Sequence, residues 1–540
     1  MATMEQIAEP ALGKPGLIKS GGGGAASAGK GWGRLAEGLK WVFSFPAMLG
    51  ACLVAKLFYE LKGFLVDPDV WWHVKVGQDI FRTHTWPTSD PYSYTVHGTP
   101  WLAYEWLGDV VLALVAKHGL QALAAFLFLM GGLVAVAIYY YASLCSGSSK
   151  AGFVAATLAS IFAAGNFNLR PQMWGALFIA ITLIVMEKFR RGQAKWLWFV
   201  PPMFLLWINA HGSWVIGIGI IVITLLGGMF EFRLGDIEGV RWSEKQRMQL
   251  ELALLGALVM LPITPYGTEL ASYPFLVGSS LPLNLRYVME WFPMPFDIWW
   301  GKAFLALIAG AFALQIIYHF TFRAQQIVLV VGAIVMTCLH ARFVIIFAPF
   351  FAPIVATILA RWLDKYRREK DKYILNFAIM ATAAFVMAWY FPSSADLEKK
   401  LAAQFPVRAV NFLRAHPEPG PMFNNYGYGG YMVKNFPEQK VFLDGRGELY
   451  ELAGVFGQYM QIDGLGPAGF PLMKSYGIRL CVLDKAEPLA VALSAHPDWK
   501  NIYADEKSVI LVRRDAAEST VFAGGELSGA KRSEHESPGD

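Results

Sequence analysis

Long apolar runs separated by short polar turns dominate the chain from residue 41 to about residue 391. Runs near 41–66, 118–144, 150–166, 173–188, 196–209, 214–231, 249–263, 299–319, 325–340, 343–360 and 373–391 predict about eleven transmembrane helices. The shorter ones reach spanning length by tilt or by longer true ends. After about residue 393 the pattern changes. Asp396 to His416 reads as a helix, and 440–443, 479–483 and 509–512 read as short apolar strands. Helical stretches near 448–462 and 486–499 lie between them, so 393–515 is expected to form a small α/β domain.

The loops orient the spans. Lys188, Arg190, Arg191 and Lys195 flank one turn, and Arg233, Arg241, Lys245 and Arg247 lie in another. A third carries Arg361, Lys365, Arg367, Arg368, Lys370 and Lys372. A cytoplasmic N-terminus puts all three inside, as the positive-inside rule requires. An odd number of spans then puts the C-terminal domain on the outer, periplasmic or extracellular, side. The opposite loops differ: 67–117 is long and rich in Trp, Asp, Pro and Tyr, and 264–298 carries Pro, Tyr and Trp. Tyr104 to Lys117 reads as an amphipathic helix on the membrane surface. Trp86, Trp101, Trp106, Trp291, Trp299 and Trp300 suit an interfacial belt.

Composition agrees with this class. Of 540 residues, 55% are hydrophobic and 16% charged, where a soluble protein carries about a quarter charged. The net charge of +5 is dispersed over membrane-flanking loops, which argues against a nucleic-acid partner. Cys52, Cys145, Cys338 and Cys481 lie far apart, so neither a disulfide framework nor a cysteine zinc site is expected. Residues 1–40 are expected to be a disordered cytoplasmic segment, 41–392 the membrane domain, and 516–540 a disordered tail. The first apolar run starts too late and runs too long for a cleaved signal peptide.

The chemistry-bearing clusters all fall on the side opposite the basic loops. Asp67-Pro68-Asp69 precedes Trp71-Trp72-His73. Glu105, Arg170-Pro171-Gln172, Asn209-Ala210-His211-Gly212, Glu290-Trp291 and Arg342 follow. Asp67 and Asp69 suit a general base or a divalent-cation ligand, or else a cap on a helix over 70–81. Glu105 is either a cap or a second catalytic acid. His73 either binds phosphate or hydrogen-bonds within its loop. Arg170, His211 and Arg342 suit phosphate binding, with snorkelling or structural hydrogen bonding as the plain alternatives. Asp90-Pro91-Tyr92-Ser93 reads as a turn. Asp444-Gly445-Arg446 reads as an internal salt bridge ahead of an acceptor contact, and the Gly/Tyr-rich 424–431 stretch as a packed junction ahead of a sugar platform.

Acids at a membrane face can deprotonate an acceptor, and fixed cations can stabilise a departing phosphate. That pairing matches transfer of a sugar from a polyprenyl-phosphate carrier. The arrangement resembles the GT-C superfamily of polytopic glycosyltransferases. More narrowly, the stretches beginning at Asp67, Asp90, Arg170, Trp207 and Phe423 resemble a group of bacterial membrane proteins seen as GT-C-like, over about 41–515. The resemblance implies a GT-C-like α-helical polytopic membrane fold with a C-terminal extracytoplasmic α/β domain. It maps the first-loop acid to Asp69 or Asp67, with Asp69 preferred, and the second to Glu105; Arg170, His211 and Arg342 are candidate phosphate contacts by their side of the membrane alone, and His73 and Glu290 are further candidate substrate-binding residues. It implies a lipid-linked sugar donor, a lipid, glycan or protein acceptor, and surrounding membrane lipids as partners.

Two functions are therefore carried forward. The first is a membrane glycosyltransferase, hexosyl or pentosyl, acting on the outer face. The second is a non-catalytic transporter, flippase or assembly component for envelope polysaccharide. Few mid-span charges and no internal repeat count against transport.

Overall fold

The computed structural model describes residues 37–61 and 67–514. Of the segments expected to be disordered, 1–40 and 516–540, residues 1–36 and 516–540 lie outside the described residues, while 37–40 are helical.

Helices lie along every predicted span. Four of them are long and apolar enough to cross a membrane by length and composition: Leu120–Ser146, Gln172–Arg190, Trp299–Tyr318 and Ala341–Leu359. The bent pair Tyr373–Trp389 and Ser394–Gln404 would count as a fifth. This is a multi-pass helical membrane architecture. In chain order, α1 is Phe45–Leu61, α2 Asp69–Thr83, α3 Trp106–Ala116, α4 Leu120–Ser146, α5 Ser149–Ala163 and α6 Gln172–Arg190. Then come α7 Val200–Ala210, α8 Trp214–Leu226, α9 Glu244–Met260, α10 Glu269–Ser280, α11 Pro282–Tyr287 and α12 Trp299–Tyr318. The remaining membrane helices are α13 Ala324–Leu339, α14 Val344–Leu359 and α15 Tyr373–Trp389.

The apolar residues sort these helices by depth. α14 is buried along nearly its whole length, packed between α4 and α5. On α12, by contrast, only Gly301 and Phe304 are buried, and Leu305, Phe312, Ile316 and Ile317 are exposed. A helix apolar on its outer face satisfies its own backbone and needs lipid around it.

Beyond α15 the chain forms α16 Ser394–Gln404, α17 Val407–Ala415, α18 Tyr426–Asn435, α19 Gly447–Leu452, α20 Val455–Asp463, α21 Gly469–Ser475 and α22 Pro488–Ala495. They surround a four-stranded sheet. Labelled in the order introduced, its strands are β1 Met422–Asn424, β2 Leu480–Asp484, β3 Trp499–Ala504 and β4 Ser508–Arg513. Spatial order is β1-β2-β4-β3; β1 and β2 are parallel, the other pairings antiparallel.

Several boundaries differ from the sequence pattern, each for a local reason. The single helix expected over 396–416 breaks at Phe405-Pro406, because proline supplies no N–H and disfavours helix in the residue before it. The stretch 448–462 breaks at Gly454, which takes φ +75°. The helix expected to reach 499 stops at Ala495, and Trp499 opens a strand instead. Residues 440–443 form no named strand; Val441 makes an isolated bridge to Ser93.

That bridge joins the first loop to the C-terminal domain. The buried residues fall into two cores. Leu53, Val70, Val74 and Leu112 belong to the membrane core. Trp71, Trp72, Val76, Ile80, Val96 and Trp101 belong to a second core with Phe423, Phe442, Leu443 and Ile510. Helix α2 is thus a beam with one face in each core, and its Asp69 and His73 sit at the seam.

Candidate functional site

The seam is built from two helices with matched polar spacing. Asp69, His73 and Gly77 recur every four residues on α2, so they share a face. Glu105 and Asp109 stand one turn apart at the start of α3. A Cβ on Gly77 would lie 2.0 Å from the Asp109 carbonyl oxygen, so only glycine lets the two helices approach this closely. The approach sets the His73 Nδ1–Asp109 Oδ1 distance at 2.6 Å.

Two charge clusters result. In the first, the Arg170 guanidinium gathers three acids: Nε lies 2.6 Å from Asp67 Oδ2, and Nη1 lies 2.9 Å from Asp69 Oδ2 and 2.8 Å from Glu290 Oε1. Arg342 reaches the other Glu290 oxygen at 3.7 Å and lies over the Trp291 ring at 4.3 Å. Among the described residues, Arg342 makes no closer polar contact than this one. Asp67 Oδ1 also accepts the Asp69 N–H at 2.9 Å, so Asp67 both starts α2 and braces Arg170.

In the second cluster, Glu105 sits between two histidines. Its Oε2 is 3.8 Å from His73 Nε2 and its Oε1 is 3.3 Å from His211 Nε2. The Ser213 N–H donates to His211 Nδ1 at 3.1 Å, so the proton of neutral His211 is on Nε2 and points at Glu105. Gly175 makes room for this latch, since a Cβ there would meet Ser213 Oγ at 2.2 Å.

Burial and charge set the protonation states. Burial, with the neighbouring Asp67 charge, raises the Asp69 carboxyl to about 7 against the opposing pull of Arg170. Burial raises Glu105 to about 8, aided by the charge of Glu448. Burial also pushes Asp109 up, and it lowers His211 to about 3. Burial works to raise Glu290 as well, but Arg170 and Arg342 outweigh it and leave that carboxyl low. Neutral pH therefore finds Glu105 protonated, Asp69 near half-ionised and Glu290 charged. Two nearby carboxyls tuned this far apart from Glu290 suit acid and base work.

All eight residues singled out in the sequence (Asp67, Asp69, His73, Glu105, Arg170, His211, Glu290 and Arg342) meet in these two clusters. Two further acids join them. Asp109 was hidden inside an apolar helical run; its signal was the four-residue step from Glu105. Glu448, from the C-terminal domain, accepts a hydrogen bond from Tyr273 at 3.4 Å. The domain also packs directly on the seam. A Cβ on Gly445 would lie 1.8 Å from Asp69 Oδ1, and one on Gly430 would lie 2.5 Å from the Pro68 carbonyl oxygen.

Asp67 and Asp69 do not fit a divalent cation. Their facing oxygens both point at Arg170, whose guanidinium stands where the ion would. No group of three or more His, Cys, Asp or Glu side chains able to hold a metal occurs among the described residues. Asp90 is the turn residue expected: it accepts from the Ser93 N–H at 3.0 Å and from the Ser93 hydroxyl at 2.6 Å. Asp444 and Arg446 form a buried ion pair at 2.6 Å, and Arg446 also holds Asp90 at 2.7 Å.

No protein-family model and no curated protein matches the chain. Solved structures to which the chain is similar include the archaeal oligosaccharyltransferase AglB from Archaeoglobus fulgidus, in complex with an inhibitory peptide and a dolichol-phosphate. It is 11% identical, with TM-score 0.47, over 81% of this chain and 69% of that one. ArnT from Cupriavidus metallidurans bound to undecaprenyl phosphate is 13% identical, with TM-score 0.44, over 90% and 99%. The arabinofuranosyltransferase AftD from Mycobacteria is 12% identical, with TM-score 0.48, over 86% and 39%.

Proposed function

We propose that the chain is a GT-C-type membrane glycosyltransferase that moves a sugar from a polyprenyl-phosphate donor to an acceptor hydroxyl or amide on the outer face of a bacterial inner membrane. One observation carries the reading: Asp69 and Glu105, tuned to about 7 and about 8, face a common seam with Arg342 beside it. Asp69 takes the acceptor proton. Glu105, protonated at neutral pH, faces the departing phosphate. Arg342, whose guanidinium is only loosely held by Glu290, is the phosphate-binding cation. Arg170 is already saturated by three carboxylates and fixes their positions; Asp67 and Glu290 are its braces. The transmembrane count of about eleven and the outward placement of 393–515 belong to the same proposal.

The test is transfer of labelled sugar from a polyprenyl-phosphate donor by purified full-length protein. Asp69→Asn should lower kcat by about a hundredfold or more, in the range of general-base loss. Arg342→Gln should chiefly raise the KM for the donor. Full activity in Asp69→Asn would rule out the base assignment.

A further inference from the structure

Glu105 has two histidine neighbours that are held in different ways. His211 is locked: its Nδ1 is committed to the Ser213 N–H at 3.1 Å and the Ser213 hydroxyl at 2.8 Å, and that hydroxyl also accepts from Trp207 Nε1 at 3.0 Å. His211 therefore always offers Nε2–H to Glu105. His73 is not locked in this way. Its Nδ1 faces a carboxylate oxygen of Asp109 at 2.6 Å and its Nε2 faces Glu105 at 3.8 Å. Its ring stacks on Trp72 at 3.6 Å, so it cannot swing away. Asp109 is fully buried, and its second oxygen Oδ2 has no hydrogen-bond partner. The imidazole is thus the one side chain hydrogen-bonded to the Asp109 carboxyl among the described residues.

An imidazole between two carboxyls can hold the same two protons in two ways. In one, Asp109 is ionised, His73 carries Nδ1–H, and Glu105 is the acid. In the other, Asp109 is the acid, His73 carries Nε2–H, and Glu105 is the carboxylate. Moving one proton onto the ring and another off its far side exchanges them, and no net charge enters or leaves. We propose that Asp109 and His73 form a proton-sliding pair that lets Glu105 exchange its proton with the reacting groups without leaving a lasting charge beside them.

The step balances. The acceptor oxygen forms its bond to the sugar carbon as the bond from that carbon to the phosphate oxygen breaks, and its electron pair leaves with the phosphate. The acceptor proton goes to Asp69. Glu105 passes its proton to the phosphate. Before that transfer Asp109 is protonated and His73 carries Nε2–H. Afterwards Nε2–H moves to Glu105 while the Asp109 proton moves to Nδ1. The negative charge is then on Asp109, a ring's width from the phosphate rather than against it. Asp69 then releases the acceptor proton to solvent, the two protons slide back so that Glu105 is again the carboxylate, and a solvent proton entering at Glu105 restores the start. The 3.8 Å gap to Glu105 must shorten for transfer, as catalytic contacts commonly do once substrate is bound.

The other charged groups facing Glu105 are Glu448, Arg342, Arg170 and Asp69, with Tyr104 and Tyr273 beside it. Arg170 and His211 act on His73. Tyr92 and Tyr266 are the titratable neighbours of Asp109. None of them bridges Asp109 to Glu105; His73 alone does.

The catalytic use of the pair rests on the group-transfer reading, but its protonation behaviour does not. Infrared titration of the full-length protein in detergent reads it directly, without substrate. Glu105→Gln identifies the Glu105 acid band by its loss. Asp109→Asn, which is nearly isosteric, should move the midpoint of that band by about one pH unit. The shift should vanish when Asp109→Asn is made in a His73→Gln background. A midpoint that Asp109→Asn leaves unmoved, or a shift that persists without the imidazole, would overturn the proposal. In the transfer assay, Asp109→Asn should lower kcat on the order of tenfold to a hundredfold at unchanged KM. The double variant should be no worse than the poorer single one, because a wire can be cut only once. Losses that multiply would also overturn it. A wild type with no transfer activity would sink the group-transfer reading, and the infrared result would still decide the wire.

Discussion

At the scale of single residues, the site is governed by how far burial displaces each acid. Asp69 at about 7 must lose its proton to act as base, and Glu105 at about 8 must keep its own to act as acid. Transfer activity is therefore expected to rise with pH through about 7 and fall through about 8, a narrow bell measured as kcat/KM against pH. Asp69→Asn should remove the rising limb and Glu105→Gln the falling one. The same raised values affect stability. A carboxyl raised on folding favours the native state fully only below its unfolded value, and that contribution is lost as pH climbs through the folded value. Glu105→Gln should thus melt progressively higher than wild type between pH 5 and pH 8, where the wild type must hold a buried acid against ionisation. An unchanged difference in apparent Tm across that window would contradict the burial argument.

At the scale of elements, the site depends on α2 and α3 touching at Gly77. Gly77→Ala puts a methyl into the Asp109 carbonyl and should cost at least about 1–3 kcal/mol, the range of core overpacking. Gly219 on α8 has nothing within 4 Å of its Cβ position, so Gly219→Ala should be neutral or slightly stabilising. Thermal melts of both variants in one detergent test the contrast. This contact also marks what could be read in the sequence. The apolar runs marked where helices form, and threading them predicted the gathering of Asp67, Asp69, Glu105, Arg170, His211, Glu290 and Arg342 that the two clusters show. Asp109 was missed because an acid within Trp106-Leu107-Gly108-Asp109-Val110-Val111 looks like the polar edge of a surface helix. Its burial is decided by Gly77, some thirty residues away, and no local pattern reports it. Arg170 looked like a phosphate ligand because the chain does not show how many acids will surround it.

At the scale of the whole molecule, the first loop and the C-terminal domain share one core, tied by Arg446. The guanidinium is fully buried between Trp101 and Tyr92, bridging Asp90 and Asp444. Arg446→Ala leaves two buried carboxylates unpaired and should cost about 3–5 kcal/mol. Limited proteolysis should then cut both the 87–101 loop and the C-terminal domain, although they are more than three hundred residues apart. Cleavage of only one would mean that they fold separately.

The grip of Glu451 on α11 has an implication for synthesis. Its carboxylate accepts the Leu283 N–H at 2.6 Å and the Asn284 N–H at 2.7 Å, just ahead of Glu290. Glu451 follows every apolar run in chain order, so this contact can form only after all of them have been synthesised. The segment that carries Glu290, the third acid on Arg170, thus takes its brace from a part of the chain made last.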